Sequence, residues 1–403
     1  MTRTSLSRRA QRTATRRTTR ARWLLAAMLA LALLVAACGD DAAEEATEDD
    51  TDEPAIDEEV SEEDLDDDAA EDSTDEEATA DAAGTTVTLL SHDSFNVSEE
   101  VLAAFTEETG VEVSVVPLGD AGTALNQTIL TRDAPQGDLL FGVDNSFLSR
   151  ALDEDLFIPH DSPSLEQVDD RFVLDPELTA LPVTYGDVCL NHDVAWFDER
   201  DLDVPTDLAD LTDPAYEGLL AVQNPATSSP GLSFLLATID RFGEDDYLDF
   251  WAELVANDVV VTDGWSEAYY DEFSGTGGGD RPLVVSYASS PPAEVFFADP
   301  QPDEAPTGVI EASCFRQIEF VGILDGAENE AGARLLVDFM LGERFQEDMP
   351  LNMFVFPVNT QAALPEVFEE YAVIPDEPLE VDPAAIGENR EAWIEAWTST
   401  VLR

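Results

Sequence analysis

The sequence predicts an α/β fold built from two lobes, and three observations indicate it. Short β-branched segments alternate with segments of helical apolar spacing, which is typical of a parallel and largely buried sheet. Two long extended stretches, Leu181 to Asn191 and Gly308 to Leu324, separate one series of strands and helices from another. The helical segments Ala331 to Leu341 and Gly387 to Val401 have no strands of their own, so we expect the chain to return to the first lobe.

Residues 1–37 have the composition of an export signal. Eight arginines within residues 3–22 precede the apolar run Trp23 to Ala37, which is too short for a comfortable membrane span. The small residues Val35 to Ala37 lead into Cys38, and this pattern resembles the lipobox of bacterial lipoproteins. We therefore expect Cys38 to be lipidated and to anchor the protein on the extracytoplasmic face of the cell membrane. The alternative is an ordinary signal peptide with an incidental cysteine.

Residues 38–84 are predicted to be a disordered acidic tether. The segment from Asp40 to Asp81 contains 24 acidic residues and no basic residue, with scarcely an aliphatic side chain to bury. Repulsion between like charges extends such a linker, which would hold the folded portion away from the membrane. The alternative is an acidic tail that collects metal ions or binds a partner.

The folded portion, residues 84–403, is also strongly acidic. It holds the other 64 of the 88 acidic residues against 11 arginines, and the chain has no lysine. Such a surface argues against nucleic acid and against anionic substrates that approach by long-range steering. It favours a cationic ligand or a salty habitat, and the charge alone does not choose between them.

The first lobe is predicted to begin with three strands that alternate with helices. Glycines punctuate this series, and Gly119 to Gly122 forms a turn that opens the helix around Leu125 and Ile129. Asp144 and Asn145 follow the third strand. The predicted strands are Thr85 to Ser91, Val111 to Leu118 and Leu139 to Val143, and the first helix is Glu99 to Glu108.

The second lobe carries two Ser-Ser-Pro sequences and most of the candidate pocket. The strand Leu219 to Gln223 leads through residues 224–231 into the helix Leu232 to Phe242, whose serine- and proline-rich start could hold an anion or be plain helix capping. The next predicted elements are the strand Val259 to Thr262, the helix Gly264 to Phe273 and the strand Leu283 to Tyr287.

Ligands in open α/β sheets collect beyond the carboxyl ends of the strands. Trp265, Tyr287, Ser289 and Ser290 all lie at such element boundaries and are therefore candidates for one pocket. The alternative for the two aromatic residues is an ordinary place in the core.

The cysteines and histidines predict a disulfide and no zinc site. Cys189 and Cys314 form an even pair in an exported domain, and each lies in a predicted extended stretch, so we expect them to be bonded. Two buried free thiols are the alternative. The three histidines, His92, His160 and His192, are scattered without the spacing of zinc ligands.

Several short motifs carry a resemblance to a known family. They are HDSF at His92 to Phe95, FGVDNSFL at Phe141 to Leu148, TSSPGL at Thr227 to Leu232, VTDGWSEAY at Val261 to Tyr269, LVVSYASSP at Leu283 to Pro291, FVFPV at Phe354 to Val358 and REAWIEAW at Arg390 to Trp397. Along most of residues 86–403 the chain resembles the periplasmic thiamine-binding proteins of thiamine ABC transporters, which belong to the type II periplasmic solute-binding proteins. GWSEAY together with SYxxSP is the more specific part, because related iron- and polyamine-binding proteins share the fold but seldom that pair.

The resemblance implies a monomeric two-lobed protein with a two-strand hinge that closes on thiamine or its phosphate esters. Lobe 1 would comprise residues 85–186 and 310–403, and lobe 2 residues 187–309. The protein would deliver its ligand to an ABC permease and its ATPase subunit, without cofactor or metal. The implied ligand contacts are Asp120, Ala121, Ser228, Ser229, Trp265, Tyr287, Ala288, Ser289 and Ser290, with Phe354 as a further stacking position. The family commonly has Trp where Phe354 stands and Tyr where His92 stands.

Other ligands and an enzymatic role are the competing hypotheses. Ferric iron, a polyamine or an organophosphonate would suit the same fold, and Tyr269 with Tyr270 could mimic the tyrosine pair of an iron site. His92 with Asp93 is the one couple that looks catalytic. The sequence nevertheless places no nucleophile beside a base with a third orienting group, so we predict that the protein is not an enzyme.

Overall fold

The computed structural model describes residues 82–276 and 278–403. The predicted signal segment, Cys38 and nearly all of the tether lie outside these residues. Ten strands occur in the described part: β1 Thr86–Ser91, β2 Glu112–Pro117, β3 Leu139–Asp144, β4 Phe157–Ile158, β5 Ala180–Asp193, β6 Leu220–Gln223, β7 Val260–Thr262, β8 Leu283–Tyr287, β9 Thr307–Leu324 and β10 Phe356–Pro357.

The α-helices pack around this sheet. They are α1 Glu99–Thr109, α2 Ala121–Leu130, α3 Leu148–Asp153, α4 Val194–Arg200, α5 Ser229–Phe242, α6 Tyr247–Ala256, α7 Ser290–Phe297, α8 Glu330–Leu341, α9 Glu343–Asn352, α10 Glu366–Tyr371 and α11 Pro383–Val401. None of the helices in the described ranges has the length and apolarity needed to cross a membrane.

All ten strands belong to one mixed sheet, whose main path runs β2-β1-β3-β9-β5-β8-β6-β7. Strands β2, β1 and β3 pair in parallel at one end, and β8, β6 and β7 pair in parallel at the other. Between them β9 and β5 are antiparallel to each other and to their outer neighbours β3 and β8. The alternation of strands and helices predicts parallel pairing, and the two outer groups confirm it. The two extended crossings were predicted without a direction, and they are antiparallel. A run of β-branched residues indicates a strand but not the direction of its neighbour.

The long strands β5 and β9 are the two predicted extended crossings. They pair from Ala180 opposite Gly322 to Asp193 opposite Thr307, so they run side by side along most of their lengths. Cys189 and Cys314 lie on these strands and form a disulfide, as the sequence predicts. Both cysteines are completely buried. The bond therefore joins the two strands that connect one outer strand group to the other.

The segment after β7 differs from its prediction in local geometry. The sequence predicts an ordinary helix from Gly264 to Phe273, whereas residues Glu267–Glu272 form a π-helix. The backbone N–H of Phe273 donates to the carbonyl of Ala268, five residues earlier, which is the wider hydrogen bond of that form. The wide turn stacks Tyr269 against Trp265 and leaves both aromatic side chains in one layer. Such single π turns are frequent at functional sites.

Candidate ligand-binding site

A cavity of about 580 Å³ opens where the ends of several strands meet the starts of two helices. Its volume falls within the range of small-molecule pockets, roughly 300 to 1,000 Å³. The wall is made by residues after β1 and β7, by the end of β8, by the first residues of α2 and α5, by α7 along its length, by β9, and by the segment before β10. The lining side chains discussed below are His92, Asp93, Asp120, Ala121, Ser229, Trp265, Tyr269, Tyr287, Ser290, Glu294, Phe297, Gln317, Glu319 and Phe354.

Three aromatic side chains form one face of the cavity. The rings of Trp265 and Tyr269 are stacked, with centroids 4.9 Å apart and an angle of 17° between their planes. Tyr287 stands nearly edge-on to Trp265 at 6.4 Å. Trp265 is fixed by its ring N–H, which donates to the hydroxyl of Ser286 at 3.0 Å. The indole therefore has a set orientation before any ligand arrives.

Asp120 holds three separate parts of the site together. Its carboxylate accepts hydrogen bonds from the backbone N–H of Ala121 at 2.7 Å, of Ser229 at 3.3 Å and of Trp265 at 2.9 Å. Burial raises the pKa of Asp120, and these donors together with His92 oppose that shift without cancelling it. Because its donors come from α2, α5 and the segment after β7, this single carboxylate determines how those elements meet.

His92 and Glu319 form an ion pair in the wall, with Nε2 and Oε1 separated by 3.2 Å. Burial lowers the pKa of His92, but the Glu319 carboxylate acts in the opposite direction and the pKa is raised overall. Thr184 donates to the other oxygen of Glu319 at 2.8 Å. Gly142 makes room for the imidazole, because a Cβ at that position would lie 2.2 Å from His92 Cδ2. Its φ of 97° also favours glycine.

A buried polar network lies behind Ser229. The hydroxyl of Ser229 donates to Oδ2 of Asp144, and the amide of Gln317 donates to Asp144 at 2.9 Å and to Ser229 at 2.7 Å. Burial raises the pKa of Asp144, while hydrogen bonds from Ser146 and Ser229 act to lower it. These residues come from β3, α5 and β9. The network thus links the end of β3, the start of α5 and the central strand β9.

A neutral network lies behind Ser290. Its hydroxyl is 2.9 Å from the hydroxyl of Ser286 and accepts from the backbone N–H of Tyr287 at 3.2 Å. Ser286 is also the residue that holds the indole of Trp265. The neighbouring Ser289 donates instead to the carbonyl of Phe354 at 2.5 Å. Ser290 therefore supports the aromatic face, and Ser289 holds the segment that carries Phe354.

Phe354 lies at the edge of the cavity in an unusual backbone conformation. Its φ is 54°, in the left-handed region that residues other than glycine seldom adopt. Its ring packs against Phe297 at 5.3 Å, and the Phe297 side chain is 71% exposed. This pair places an apolar rim beside the aromatic and acidic wall.

A model of the bacterial extracellular solute-binding protein family matches residues 135–375. The chain belongs to that family. The match covers every strand from β3 to β10 completely. It therefore includes the crossing strands and much of the cavity wall.

The relatives of this solute-binding protein are consistent with the architecture. The thiamine-binding periplasmic protein of Salmonella typhimurium is 28% identical over 326 residues, which cover 80% of this chain and 95% of the relative. That of Brucella suis is 29% identical over 336 residues, covering 80% and 93%. A solved periplasmic thiamin-binding protein has a TM-score of 0.69 and 27% identity, and the alignment covers 79% of this chain and 96% of that one. The fold is therefore that of a type II periplasmic binding protein, as the sequence predicts.

The structure brings seven of the ten predicted ligand contacts of this solute-binding protein into the cavity wall. Those seven are Asp120, Ala121, Ser229, Trp265, Tyr287, Ser290 and Phe354. The other three, Ser228, Ala288 and Ser289, are fully buried and do not line it. Of each Ser-Ser pair only the second serine, Ser229 or Ser290, lines the cavity. Ser289 contributes to the cavity indirectly, because its hydroxyl holds the carbonyl of Phe354.

The lining residues outside the predicted ligand contacts of this solute-binding protein include Tyr269, Glu294, Gln317 and Glu319. Gln317 and Glu319 are two residues apart on β9 and therefore share one face of the strand. Their alternation with the apolar Ile318 and Phe320 in the second half of β9 is a signal that could have identified them. Glu294 is four residues beyond Ser290 on α7, and its carboxylate accepts from the hydroxyl of Tyr269 at 2.9 Å. Within the described residues no group of His, Cys, Asp or Glu side chains is arranged to hold a metal ion.

Proposed function

We propose that the protein is an extracytoplasmic lipoprotein that binds thiamine in this cavity and presents it to an ABC importer. The observation that carries the proposal is the stacked pair of Trp265 and Tyr269 in one cavity with Asp120 and Glu319. The names of the relatives point to the same ligand. Their identity as solute-binding proteins supports a binding role rather than an enzymatic one.

The chemistry of thiamine suits these groups. The vitamin joins a flat aminopyrimidine to a permanently cationic thiazolium, and aromatic faces attract such a cation by about 0.5 to 2 kcal/mol per contact. Trp265, Tyr287 and Phe354 offer aromatic surface at the cavity. The carboxylates of Asp120 and Glu319 supply negative charge for the ring cation and acceptors for the amino group.

The same proposal includes closure of two lobes, residues 85–186 with 310–403 and residues 187–309. The pairing of β5 with β9 supports these boundaries, because the two strands link the outer strand groups. Asp120 belongs to the first proposed lobe, and its donors Ser229 and Trp265 belong to the second. Closure about the two strands would bring those N–H groups to the carboxylate and bury the ligand between the lobes.

The proposed anchor and partners rest on the sequence pattern and on the family. Cys38 and the acidic tether would place the binding domain at the outer surface of the membrane, within reach of a permease and its ATPase subunit. Metabolic labelling with a fatty acid tests the anchor. We expect the parent to incorporate the label and the Cys38→Ala variant to incorporate none. Equal labelling of the two proteins would contradict the proposed anchor.

Ferric iron is less well supported than an organic cation. An iron site of this kind uses ionised tyrosine side chains. Burial and the neighbouring Glu294 carboxylate raise the pKa of Tyr269 well above its ordinary value, which opposes ionisation. Absorption spectroscopy separates the two ligands, because bound iron with tyrosinate ligands would produce a visible charge-transfer band and thiamine would not.

Calorimetric titration of the purified protein with thiamine tests the proposed ligand. We expect saturable one-to-one binding, which Trp265→Ala weakens by about tenfold through loss of the stacking surface. Trp196→Ala is the matched control, because Trp196 packs against Phe197 and Arg200 away from the cavity. Absence of both binding heat and thermal stabilisation at micromolar thiamine would refute the proposal.

A further inference from the structure

Glu319 differs from other carboxylates of the cavity wall in the partner of its side chain. Asp120 accepts from three backbone N–H groups, and Glu294 accepts from the Tyr269 hydroxyl. Glu319 is buried and has the imidazole of His92 beside it, with Oε1 and Nε2 separated by 3.2 Å. Of these partners the imidazole alone gains and loses a charge near neutral pH.

The contact between His92 and Glu319 is an ion pair without a directed hydrogen bond. Nε2 of His92 is buried and has no hydrogen-bond partner among the described residues. The other oxygen of Glu319 accepts from the Thr184 hydroxyl at 2.8 Å, so Oε1 is the oxygen that is held by charge alone. Both side chains line the cavity. A cationic group that enters the cavity can therefore replace the imidazolium as the partner of Oε1.

The position of the imidazole is also fixed by packing against β3. The ring centroid of His92 lies 5.6 Å from that of Phe141, and the absence of a side chain at Gly142 gives the imidazole its space. His92 is only 8% exposed. A neutral imidazole would therefore keep the same place after a ligand had taken over Glu319, and the exchange needs no rearrangement of the wall.

Three carboxylates act on the charge of His92, and they come from three parts of the wall. They belong to Glu319 on β9, to Asp120 at the start of α2 and to Asp93 beside His92 in the chain. Burial lowers the pKa of His92, and these carboxylates raise it, with a net rise. The Tyr287 phenol in the same wall stays neutral, because burial and the nearby carboxylates raise its pKa well above its ordinary value. The empty cavity is therefore expected to hold an imidazolium at neutral pH.

On the basis of the proposed function, we infer that His92 and the cationic ring of the ligand compete for Glu319, so that a proton leaves the cavity when the cation binds. In the empty cavity the imidazolium compensates the Glu319 carboxylate. In the loaded cavity the ring cation takes that role, and two positive charges in one buried site repel each other. The N–H bond at Nε2 of His92 then breaks and the proton passes to solvent, which leaves the total charge of the site unchanged. His92 is thus a specificity-determining residue that makes the binding of a cation depend on pH.

The direction of the pH effect follows from this exchange. Below the pKa of His92, which is raised above its ordinary value, the ligand must displace a proton and binds more weakly. The affinity should rise as the pH increases through that pKa and should level off above it. A neutral ligand of the same shape displaces no proton, so its affinity should not follow this curve.

Calorimetric titration of the full chain with thiamine between about pH 6 and about pH 8 tests the inference. We expect the affinity to be about fivefold to tenfold weaker at the lower pH. At a fixed neutral pH, two buffers of different ionisation enthalpy should give different binding heats, which correspond to the release of up to about one proton per ligand. Equal heats in the two buffers, with an affinity independent of pH, would overturn the inference and leave the proposed function intact. Failure of thiamine to bind at every pH would refute the proposed function.

The neutral thiophene analogue of thiamine, in which a carbon atom replaces the nitrogen of the cationic ring, separates the effect of charge from that of shape. It should bind without proton release and without the rise of affinity with pH. This comparison uses the parent protein and so does not depend on the folding of any variant. Proton release equal to that of thiamine would overturn the inference, because the ring charge would then not be its cause.

His92→Gln tests the assignment to this residue. Glutamine keeps a side-chain donor near Glu319 and does not titrate, so the variant should lose both the proton release and the pH dependence of thiamine binding. His160→Gln is the matched control, because His160 is equally buried and pairs with Asp338 at 2.7 Å outside the cavity wall. It should release the same number of protons as the parent. Proton release that persists in His92→Gln, in protein whose thermal unfolding shows it to be folded, would overturn the assignment.

Discussion

Two segments of similar sequence, Ser228–Pro230 and Ser289–Pro291, begin α5 and α7 and can be compared directly. In each the first serine is the N-cap, yet its hydroxyl makes no capping hydrogen bond. In each the second serine, Ser229 or Ser290, is the first helical residue and lines the cavity. The plain capping that the sequence allows at the start of α5 is therefore absent from this structure. The motif instead directs one hydroxyl of each pair to the cavity wall.

The two segments differ in what that hydroxyl contacts. Ser229 donates to Asp144, a buried carboxylate that Gln317 also contacts. Ser290 contacts neutral partners, the Ser286 hydroxyl and the N–H of Tyr287. The same local sequence thus joins a charged network in one case and a neutral network in the other. Loss of a hydrogen-bond partner reduces the free energy of unfolding more at a buried charge than at a buried neutral group. Substitution of Ser229 should therefore destabilise the protein more than substitution of Ser290.

Ser229→Ala should destabilise the protein most. It removes a donor from the fully buried Asp144 carboxylate, and the expected loss is about 1 to 3 kcal/mol in the free energy of unfolding. Urea denaturation with the disulfide intact measures it. The control is Ser233→Ala on the same helix, where the buried hydroxyl has no hydrogen-bond partner among the described residues. Equal stabilities of the two variants would show that the Asp144 contact contributes nothing.

The cost of Ser229→Ala should shrink in acid. Burial raises the pKa of Asp144 above its ordinary value, so the folded state binds the proton more tightly than the unfolded state. Stability from this group is therefore fully present below its unfolded pKa and is lost as the pH rises through the folded value. Ser229→Ala removes a donor that lowers this pKa, so it raises the folded value further. The stability of the variant should approach that of the parent at about pH 4 and fall furthest below it at about pH 8.

The neutral segment provides the control for this pH dependence. The partners of Ser290 do not titrate between those pH values, so the cost of Ser290→Ala should stay constant across the range. Parallel denaturation series of the parent and both variants measure the difference. A pH-independent cost for Ser229→Ala would contradict the assignment of its partner as an ionised carboxylate.

Ser290→Ala should have an intermediate effect on stability, about 1 to 2 kcal/mol, because two neutral hydrogen bonds are lost. It should also loosen Trp265, since Ser286 holds the indole N–H and itself pairs with Ser290. Fluorescence quenching of the protein by acrylamide is expected to increase in the variant. Quenching equal to that of the parent would show that Ser286 orients the indole without Ser290.

The strands were predictable from the sequence because short β-branched runs bounded by glycine and aspartate favour an extended backbone with defined ends. Strand β8, from Leu283 to Tyr287, has the predicted bounds. The Cys189–Cys314 bond was also predictable, because each cysteine lay in one of two extended stretches. The antiparallel centre of the sheet was not, since strand direction depends on pairing between residues more than a hundred positions apart. The π-helix after Trp265 was missed because its apolar spacing resembles that of an α-helix.

The site was predictable where the ligand-facing residues lie at element boundaries of one segment, as Trp265 and Tyr287 do. The site was not predictable where the pairing of a strand with its neighbours determines which of its side chains face the cavity. Gln317 and Glu319 face the cavity because β9 pairs with both β3 and β5, which fixes the orientation of its alternate side chains. Ser228 and Ser289 could not be separated from Ser229 and Ser290 by residue type. The helix starts decide which serine of each pair faces the cavity.

Ser228→Ala should have the smallest effect of the series, within about 0.5 kcal/mol of the parent. The Ser228 hydroxyl is buried without a hydrogen-bond partner among the residues that the structure describes, so its removal breaks no contact. The matched variant at the other N-cap, Ser289→Ala, loses the bond to the Phe354 carbonyl and should cost about 1 kcal/mol. Thermal unfolding of both variants measures the difference. A loss in Ser228→Ala as large as that in Ser289→Ala would mean that both N-cap serines stabilise their helices alike, and the distinction between the two segments would then lie in the second serine alone.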